Sequence, residues 1–342
     1  MDKYNLLDCT LRDGGYINKW TYNDETISEI ISSLIEAGID FLEVGYLNTG
    51  GHAKNSTQFD SIERIKEYLP SKRKKCILLA MADVQQFSAK DLTEYTGKSI
   101  DGIRVVFYKY QIKEAMELAK AVQEKGYRLF MQPMVTIDYT LDEYAELVQK
   151  ISELRPYAVS IVDSFGYMLK EDFRKYFKIL DNALEKEAII GFHSHNNMDL
   201  AFITAQDILE YNTSRNVVID CSLYGMGRGA GNLNTELIAN YYNMTLGHKY
   251  NIDLILSMIS THIMPIYQHR SWGYSPYYFI TGLYHCHPNY AGYLLEDYNV
   301  SVSDFEAFIQ TIPKEMKVKC RKPYVIDMWK EFTNMMSYEV DK

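Results

Sequence analysis

The chain has 342 residues, of which 47% are hydrophobic and 24% are charged, an ordinary globular composition that is long enough for a large core. It carries 36 Lys and Arg against 45 Asp and Glu, and its net charge of −9 without a block of cations argues against nucleic acid or an anionic membrane as the main partner. No stretch resembles a signal peptide or approaches the ~18 apolar residues of a membrane span. Five cysteines without C-x-x-C spacing are typical of reduced thiols, so we predict a cytoplasmic protein.

From about residue 5 to residue 245 the chain alternates short β-branched runs with amphipathic helical stretches. The predicted strands cover residues 6–10, 41–46, 76–81, 102–107, 129–135, 159–163, 189–193 and 217–223. The predicted helices between them cover residues 25–37, 57–68, 112–125, 141–154, 170–184, 200–211 and 235–244. Eight strand–helix units favour a (β/α)8 TIM barrel. The alternative is an open doubly wound sheet, but no G-x-G-x-x-G sequence opens the first helix.

The C-terminal part of the chain breaks this rhythm and reads as mostly helical, with predicted helices over residues 253–264, 276–285, 302–310 and 323–334. We therefore predict a barrel domain over residues 1–246 and a mostly helical C-terminal extension over residues 247–342. Residues 267–298 contain eight tyrosines. They predict a packing or subunit-contact surface, and thus a homo-oligomer, or alternatively a cap over the barrel mouth.

Two short motifs predict a metal site. A TIM barrel places its active site at the carboxyl ends of its strands, where Arg12 and Asp13 follow the first strand and His193 and His195 end the seventh. Residues two apart on a strand point the same way, so both imidazoles can face one ion together with the carboxylate. This mixed oxygen and nitrogen set favours Mn²⁺ or Mg²⁺, with Co²⁺ or Zn²⁺ as alternatives.

The eighth strand leads into a glycine-rich turn over residues 225–232. This turn lacks the Lys-Ser/Thr of a nucleotide-binding loop, although its backbone N–H groups are suited to an anion. Its position predicts instead that Asn232 reaches the metal or closes the site. Arg104 and Gln132 are further polar candidates that would point inward from strands four and five.

Taken together, three motifs resemble the DRE-TIM metallolyase superfamily, which includes HMG-CoA lyase, isopropylmalate and citramalate synthases and 4-hydroxy-2-oxovalerate aldolase. They are Asp8-x-Thr10-Leu11-Arg12-Asp13-Gly14, His193-x-His195-Asn196 and Gly229-Ala230-Gly231-Asn232. They occur in the family's order and span residues of about 4–245, and they are specific for the superfamily but weak on substrate.

The resemblance implies roles for individual residues. Asp13, His193 and His195 match the metal ligands, Asn232 matches an additional ligand position, and Arg12 matches the arginine that stabilises an enolate oxygen. A Lewis-acid metal and a guanidinium are what cleavage of a C–C bond beside a ketone requires, because an enolate carries negative charge. Substrate-binding positions are implied more weakly for three further strand-end residues: Glu43, Asp163 and Ser164, the last at a position that binds the pyruvyl carboxylate in the oxovalerate aldolases. The alternative for Glu43 and Asp163 is a polar network inside the barrel.

The sequence departs from the family pattern at the proton-transfer residue. The aldolases have a His where this chain has Tyr16 after Asp13-Gly14-Gly15. Tyr16 is therefore the candidate proton donor, with His285 and His287 of the second H-x-H as alternatives; a cap or substrate role fits that pair better than a second metal. The loop before Asn232 also lacks the cysteine of HMG-CoA lyases. The tail is nearer in size to that of the oxovalerate aldolases, where it contacts a dehydrogenase partner; no feature here establishes such a partner.

These observations predict a divalent-metal-dependent C–C lyase of the pyruvate-aldolase type that acts on a small 4-hydroxy-2-oxo acid through a metal-stabilised enolate, with Mn²⁺ as the expected ion. The first alternative is a Claisen-type acyltransferase joining acetyl-CoA to a 2-oxo acid, although no feature requires a CoA site. The second is a non-catalytic metal-binding barrel, which is disfavoured because Arg12 and the predicted ligands are all present.

Overall fold

The structure, a computed structural model, describes residues 2–50, 54–71 and 75–340, with side chains to residue 336. Eight parallel strands form a ring, which closes because the last strand pairs with the first and the first pairs with the second. The predicted (β/α)8 barrel is thereby confirmed. The barrel strands are β1 (Tyr4–Asp8), β2 (Phe41–Leu47), β3 (Ile77–Asp83), β4 (Gly102–Phe107), β5 (Arg128–Pro133), β6 (Ala158–Asp163), β7 (Ile189–Ser194) and β8 (Val217–Cys221).

Helices surround the ring and bury one apolar face against it. They are α1 (Asp24–Glu36), α2 (Ile62–Ile65), α3 (Ile112–Glu124), α4 (Leu141–Ser152), α5 (Lys170–Ala183), α6 (Ala201–Glu210) and α7 (Thr235–Thr245). Local sequence fixes several of their starts. The Thr140 hydroxyl, for example, accepts from the Glu143 N–H while the Glu143 carboxylate accepts from the Thr140 N–H, a capping box at the start of α4.

Two predicted elements near the first motif are wrong in extent. The helix predicted to begin at residue 57 begins only at Ile62, because Gln58–Phe59 forms a short strand that pairs with the end of β2. The helical part consists of α2 and a 3₁₀ turn at Lys66–Tyr68. The first strand ends at Asp8 rather than at residue 10. A helical turn at Thr10–Asp13 follows, and a second turn covers Gly15–Asn18.

The C-terminal region is helical, as predicted. Its helices are Ile252–Met258, a π-helical turn at Ile259–Ile263, Met264–His269, Pro276–Leu283, Asn289–Asp297, Val302–Thr311, Lys314–Lys317 and Lys322–Val340. Packing divides this region in two. Ile255, Ile263 and Trp272 belong to the core of the barrel, whereas residues from Ile280 to Phe332 form a separate hydrophobic cluster. The predicted domain boundary between residues 246 and 247 marks the change in secondary structure and not this change in packing, and it stays a proposal. No helix in the described part of the chain is long and apolar enough to cross a membrane.

Candidate metal centre and its cavity

Asp13, His193 and His195 meet at the carboxyl mouth of the barrel. One ligand atom from each residue lies within 4.8 Å of the others, and all three side chains are buried. Burial alone would raise the pKa of Asp13, but the neighbouring Arg12 guanidinium outweighs it and holds the pKa below its usual range, so the carboxylate is ionised. The structure therefore brings together the Asp13 motif and the His193–His195 motif, as the sequence predicted.

Asp13 is held by the helical turn that follows β1. The Asp8 carboxylate accepts from the Thr10 N–H at 2.9 Å and from the Thr235 hydroxyl at 2.7 Å, which ties the turn to both β1 and α7. A further bond anchors the following residues, because the Trp20 indole N–H donates to the Arg12 carbonyl at 2.7 Å. The turn therefore presents Arg12 and Asp13 in a fixed orientation at the mouth.

Each histidine has one ring nitrogen engaged by the protein. His193 Nδ1 lies 3.0 Å from Asp220 Oδ2, and His195 Nδ1 lies 3.2 Å from the Arg228 carbonyl oxygen. Acceptors at Nδ1 fix the proton there and leave Nε2 as the lone-pair nitrogen, which is the usual arrangement of a metal-binding histidine. Burial lowers the pKa of His195 to about 3 despite the nearby Asp13, so this ring is neutral and suited to a cation.

Asn232 lies beside the same carboxylate. Its Nδ2 donates to Asp13 Oδ2 at 2.6 Å, while its Oδ1 is enclosed and has no hydrogen-bond partner among the described residues. An amide oxygen that is buried without a donor is, like the carboxylate, a suitable ligand for a divalent cation, and the two imidazoles add nitrogen ligands of the kind that transition metals accept. The close approach of this loop depends on Gly227, where a Cβ would lie 2.7 Å from Asp13 Oδ2.

A buried chain of alternating charges connects the two metal-site motifs through the barrel interior. Arg12 pairs with Asp13 and, through Nε, with Glu43 at 2.5 Å. Arg104 pairs with Glu43 at 3.2 Å and also with Asp220, the residue that holds His193. Burial alone would lower the pKa of Arg12, but Glu43 and Asp13 raise it, so the guanidinium stays charged. Glu43 therefore orients Arg12. Because Glu43 does not line the cavity, a role in the polar network inside the barrel describes it better than substrate binding.

The cavity above the metal cluster is small, with a volume of about 30 Å³. Its described lining includes Arg12, Asp13, Tyr16, Gln132, Ser164, the two histidines and Arg228. The half-buried Tyr16 has its hydroxyl 3.2 Å from that of Tyr46. The Ser164 hydroxyl accepts from the Val135 N–H at 2.9 Å. Tyr16 and Ser164 are thus placed beside the metal cluster, as predicted.

Two predicted site residues lie elsewhere. Asp163 accepts from the N–H groups of Tyr167 and Met168 at 3.1 and 3.0 Å, so it shapes the loop after β6 rather than lining the cavity. His285 is exposed and stacks on Tyr167 at 4.3 Å between ring centroids. The structure therefore does not place His285 in the cavity as a proton donor. His285 lies just after the end of a helix and has a φ of 57°, so the alternation of side chains along a strand does not apply to it. His287 is the buried member of the pair, with Nε2 at 3.5 Å from Arg228 Nη1.

Two residues of the site were missed in the sequence. Asp220 is an acidic residue within the apolar run Val217-Val218-Ile219-Asp220-Cys221, and that contrast is the signal that indicates an inward carboxylate. Arg228 is the one cation of the glycine-rich turn at residues 225–232. It faces the cavity, and its guanidinium lies 5.3 Å from the centre of the Tyr16 ring.

A closed TIM barrel with an Asp–His–His cluster at its carboxyl mouth is the architecture of a metal-dependent enzyme. The HMGL-like family model matches residues 3–261, and the chain belongs to that family. This confirms the resemblance found in the three motifs.

Named relatives and solved structures agree with this assignment. An oxaloacetate decarboxylase of Mycobacterium tuberculosis is 27% identical over 251 residues, covering 73% of this chain and 72% of that protein. A 4-hydroxy-2-oxovalerate aldolase of Chloroflexus aggregans is 31% identical over 248 residues, covering 68% and 67%. The N-terminal domain of a protein from Bacteroides vulgatus matches with a TM-score of 0.70 and 25% identity over 86% of this chain and 97% of that one. The HMG-CoA lyase of Brucella melitensis, at 14% identity over 75% and 96% with a TM-score of 0.61, shares the fold.

Proposed function

We propose that the protein is a divalent-metal-dependent carbon–carbon lyase of the pyruvate-aldolase type, which cleaves or forms a 4-hydroxy-2-oxo acid. The observation that carries the proposal is the buried Asp13–His193–His195 cluster with Arg12 in the same cavity. The predicted lyase class is confirmed by the relatives, which are named as an aldolase and a decarboxylase of related oxo acids. Manganese is our proposed ion, because the ligand set mixes carboxylate and amide oxygens with imidazole nitrogens.

The chain supplies the ligands, one fixed cation and a proton carrier. A divalent cation bound by Asp13, His193, His195 and Asn232 would act as a Lewis acid toward the oxygens of a 2-oxo acid. Arg12 uses Nε on Glu43 and Nη1 on Asp13, which leaves Nη2 without a hydrogen-bond acceptor among the described residues. We assign this nitrogen to the ketone oxygen, where negative charge develops in the transition state.

Tyr16 is the residue that we assign to proton transfer. In the cleavage direction the C4 hydroxyl of the substrate loses its proton, the C3–C4 bond breaks, and its electron pair enters the enolate of pyruvate while the aldehyde leaves. C3 then takes up a proton to give pyruvate, so no oxidant or second reactant is needed. The Tyr16 hydroxyl lines the cavity and has the Tyr46 hydroxyl at 3.2 Å as a relay partner.

Oxaloacetate decarboxylation is a second candidate activity, favoured by the relative from M. tuberculosis. It passes through the same pyruvate enolate, because the bond from C3 to the departing carboxylate breaks and leaves its electron pair on C3. The two candidates differ only in what leaves, an aldehyde or CO₂. The same metal cluster and Arg12 serve both.

The test measures pyruvate release from 4-hydroxy-2-oxo acids and from oxaloacetate, with Mn²⁺ and after chelation. Exchange of the pyruvate methyl protons with D₂O reports enolate formation without any aldehyde. We expect metal-dependent exchange, and we expect Arg12→Met to lower kcat by about 10²–10³-fold, as for loss of one donor to a developing oxyanion. Absence of exchange in protein with bound metal would refute the proposal. Release of thiol from acetyl-CoA with a 2-oxo acid would favour the acyltransferase instead.

We further propose a cytoplasmic location, because the five cysteines form no disulfide within the described chain. The substrate class, a small 2-oxo acid, follows from the family. A homo-oligomer stays a prediction, and no feature of the chain establishes a dehydrogenase partner.

A further inference from the structure

Two hydrogen-bond donors face each other at the edge of the metal cavity. Arg228 Nη1 lies 3.5 Å from His287 Nε2. His287 Nδ1 accepts from the Asn289 N–H at 3.1 Å, so the neutral ring carries its proton on Nε2. A guanidinium N–H cannot bond to an imidazole N–H, and an acceptor between them would satisfy both. The pair is therefore suited to bind one acceptor group with both donors.

Arg228 has further unused donors. Among the described residues its enclosed Nε has no hydrogen-bond partner, and its Nη2 reaches only the Ser164 carbonyl at 3.5 Å. No carboxylate of the described chain forms an ion pair with it, in contrast to Arg12 and Arg104, which have two each. A mostly enclosed cation without a counterion indicates a site for an anionic ligand.

The pair stands where the metal cavity meets an outer cleft. Arg228 lines the metal cavity, whereas His287 lines a cleft of about 570 Å³ between the barrel mouth and the C-terminal region. The metal cavity, at about 30 Å³, is much smaller than this outer cleft. Arg228 and His287 therefore stand between the metal cluster and the outer cleft.

The outer cleft is positively charged in an acidic protein. Its lining includes Lys319 and Arg321 and no described carboxylate. These two cations belong to residues 314–322, which hold five Lys or Arg and one Glu although the whole chain carries −9. Lys319 Nζ lies over the Tyr110 ring at 5.4 Å, and Tyr110 stacks on Tyr108 at 5.5 Å. Such a local reversal of charge raises the concentration of anions at the mouth.

We propose that Arg228 and His287 bind a phosphate or carboxylate on the far end of the aldehyde half of the substrate, with Lys319 and Arg321 guiding it through the cleft. This inference rests on the proposed aldolase function, and it names the class of acceptor: an aldehyde that bears an anionic group. We assign the anion to the acceptor rather than to pyruvate, because the pair lies on the side of the metal cavity that faces the outer cleft, with Arg228 lining the cavity and His287 lining the cleft. A carboxylate of pyruvate would lie within the metal cavity itself.

The experiment compares matched acceptors in aldol addition to pyruvate by the Mn²⁺-loaded protein. Glyceraldehyde 3-phosphate is paired with glyceraldehyde, and succinic semialdehyde with butanal. We expect kcat/KM to favour at least one anionic member by about tenfold or more, the equivalent of one charge-assisted contact. The two pairs distinguish phosphate from carboxylate. Equal values within both pairs would overturn the inference.

Three variants test which residues cause the preference for anionic acceptors. Arg228→Met should bring the ratio of anionic to neutral kcat/KM close to one, and Arg228→Lys should restore part of it. Lys319→Met, at an exposed position that does not threaten folding, should lower the same ratio a few-fold through KM. The control is Lys178→Met on α5, which removes one exposed positive charge that lines neither cavity and should leave the ratio unchanged.

Other outcomes contradict the inference in distinguishable ways. If Arg228→Met raises only the KM for pyruvate, Arg228 binds the oxo acid and the inference fails while the aldolase function stands. If thiol is released from acetyl-CoA, the cleft serves a thioester and the inference fails. If the wild-type protein does not exchange the pyruvate methyl protons, the proposed function fails and the acceptor site falls with it.

Discussion

Two neighbouring layers of side chains inside the barrel differ in chemistry, although they lie only two residues apart along each strand. The amino-terminal layer is apolar and contains Phe41, Phe130 and Val218. Two residues further along each of these strands, the inward positions hold polar side chains, which are Glu43, Gln132 and Asp220. Because side chains alternate on a strand, each pair shares one inward face.

The difference shows how one scaffold separates stability from chemistry. The apolar layer fills the barrel with rings such as Phe41 and Phe130, whose centroids lie 6.1 Å apart. The polar layer buries Arg12, Glu43, Arg104 and Asp220, a costly arrangement that holds only because each charge has an opposite partner. We therefore expect substitutions in the apolar layer to change folding, and those in the polar layer to change metal binding and rate.

The largest effect should follow from Asp13→Asn. The new side chain keeps the size of the old one but loses the charge that the cation requires, so we expect loss of bound metal and of detectable pyruvate formation. Equilibrium dialysis with Mn²⁺ and the pyruvate assay measure both. The circular dichroism spectrum should stay that of the wild type, and full activity without Asp13 would contradict the assigned site.

A second substitution tests the apolar layer. Phe41 is fully buried, so Phe41→Ala removes a large side chain and leaves a cavity, and we expect the free energy of unfolding to fall by about 3–5 kcal/mol. Urea unfolding measures this loss. The Mn²⁺ dissociation constant of the folded fraction should be unchanged. A weakened metal site in this variant would show that the two layers are coupled.

Features that depend on local sequence were predicted better than pairings between distant strands. Strand periods and the H-x-H pair are local, so the barrel and the cluster of Asp13, His193 and His195 could be predicted from short stretches of sequence. The pairing of Arg104 with Asp220 joins residues 116 apart, and it depends on how eight strands close into a ring. The role of Asp220 was missed because no local pattern records that closure.

The errors at the C-terminal side have the same origin. The helix Asn289–Asp297 was not predicted, since it contains Gly292 and follows directly on Pro288 within a tyrosine-rich stretch. The second H-x-H could not be resolved from sequence, because His285 and His287 lie on a turn and not on a strand. Only the fold shows that His287 reaches Arg228 while His285 faces outward.

The smallest effect should come from Asp220→Asn, the substitution that tests the comparison most closely. Asparagine keeps an oxygen for the His193 Nδ1–H, so the ring stays oriented, but the charge that makes the imidazole a stronger ligand is lost. We expect the Mn²⁺ dissociation constant to rise about 10–100-fold, the usual effect of removing such a supporting carboxylate. The control is Val218→Ala, two residues earlier on β8, which should lower the unfolding midpoint and leave metal affinity alone. Equal metal affinity in both variants would mean that Asp220 pairs with Arg104 but does not support the metal site. Asp220 would then belong, like Val218, to the layer that serves stability.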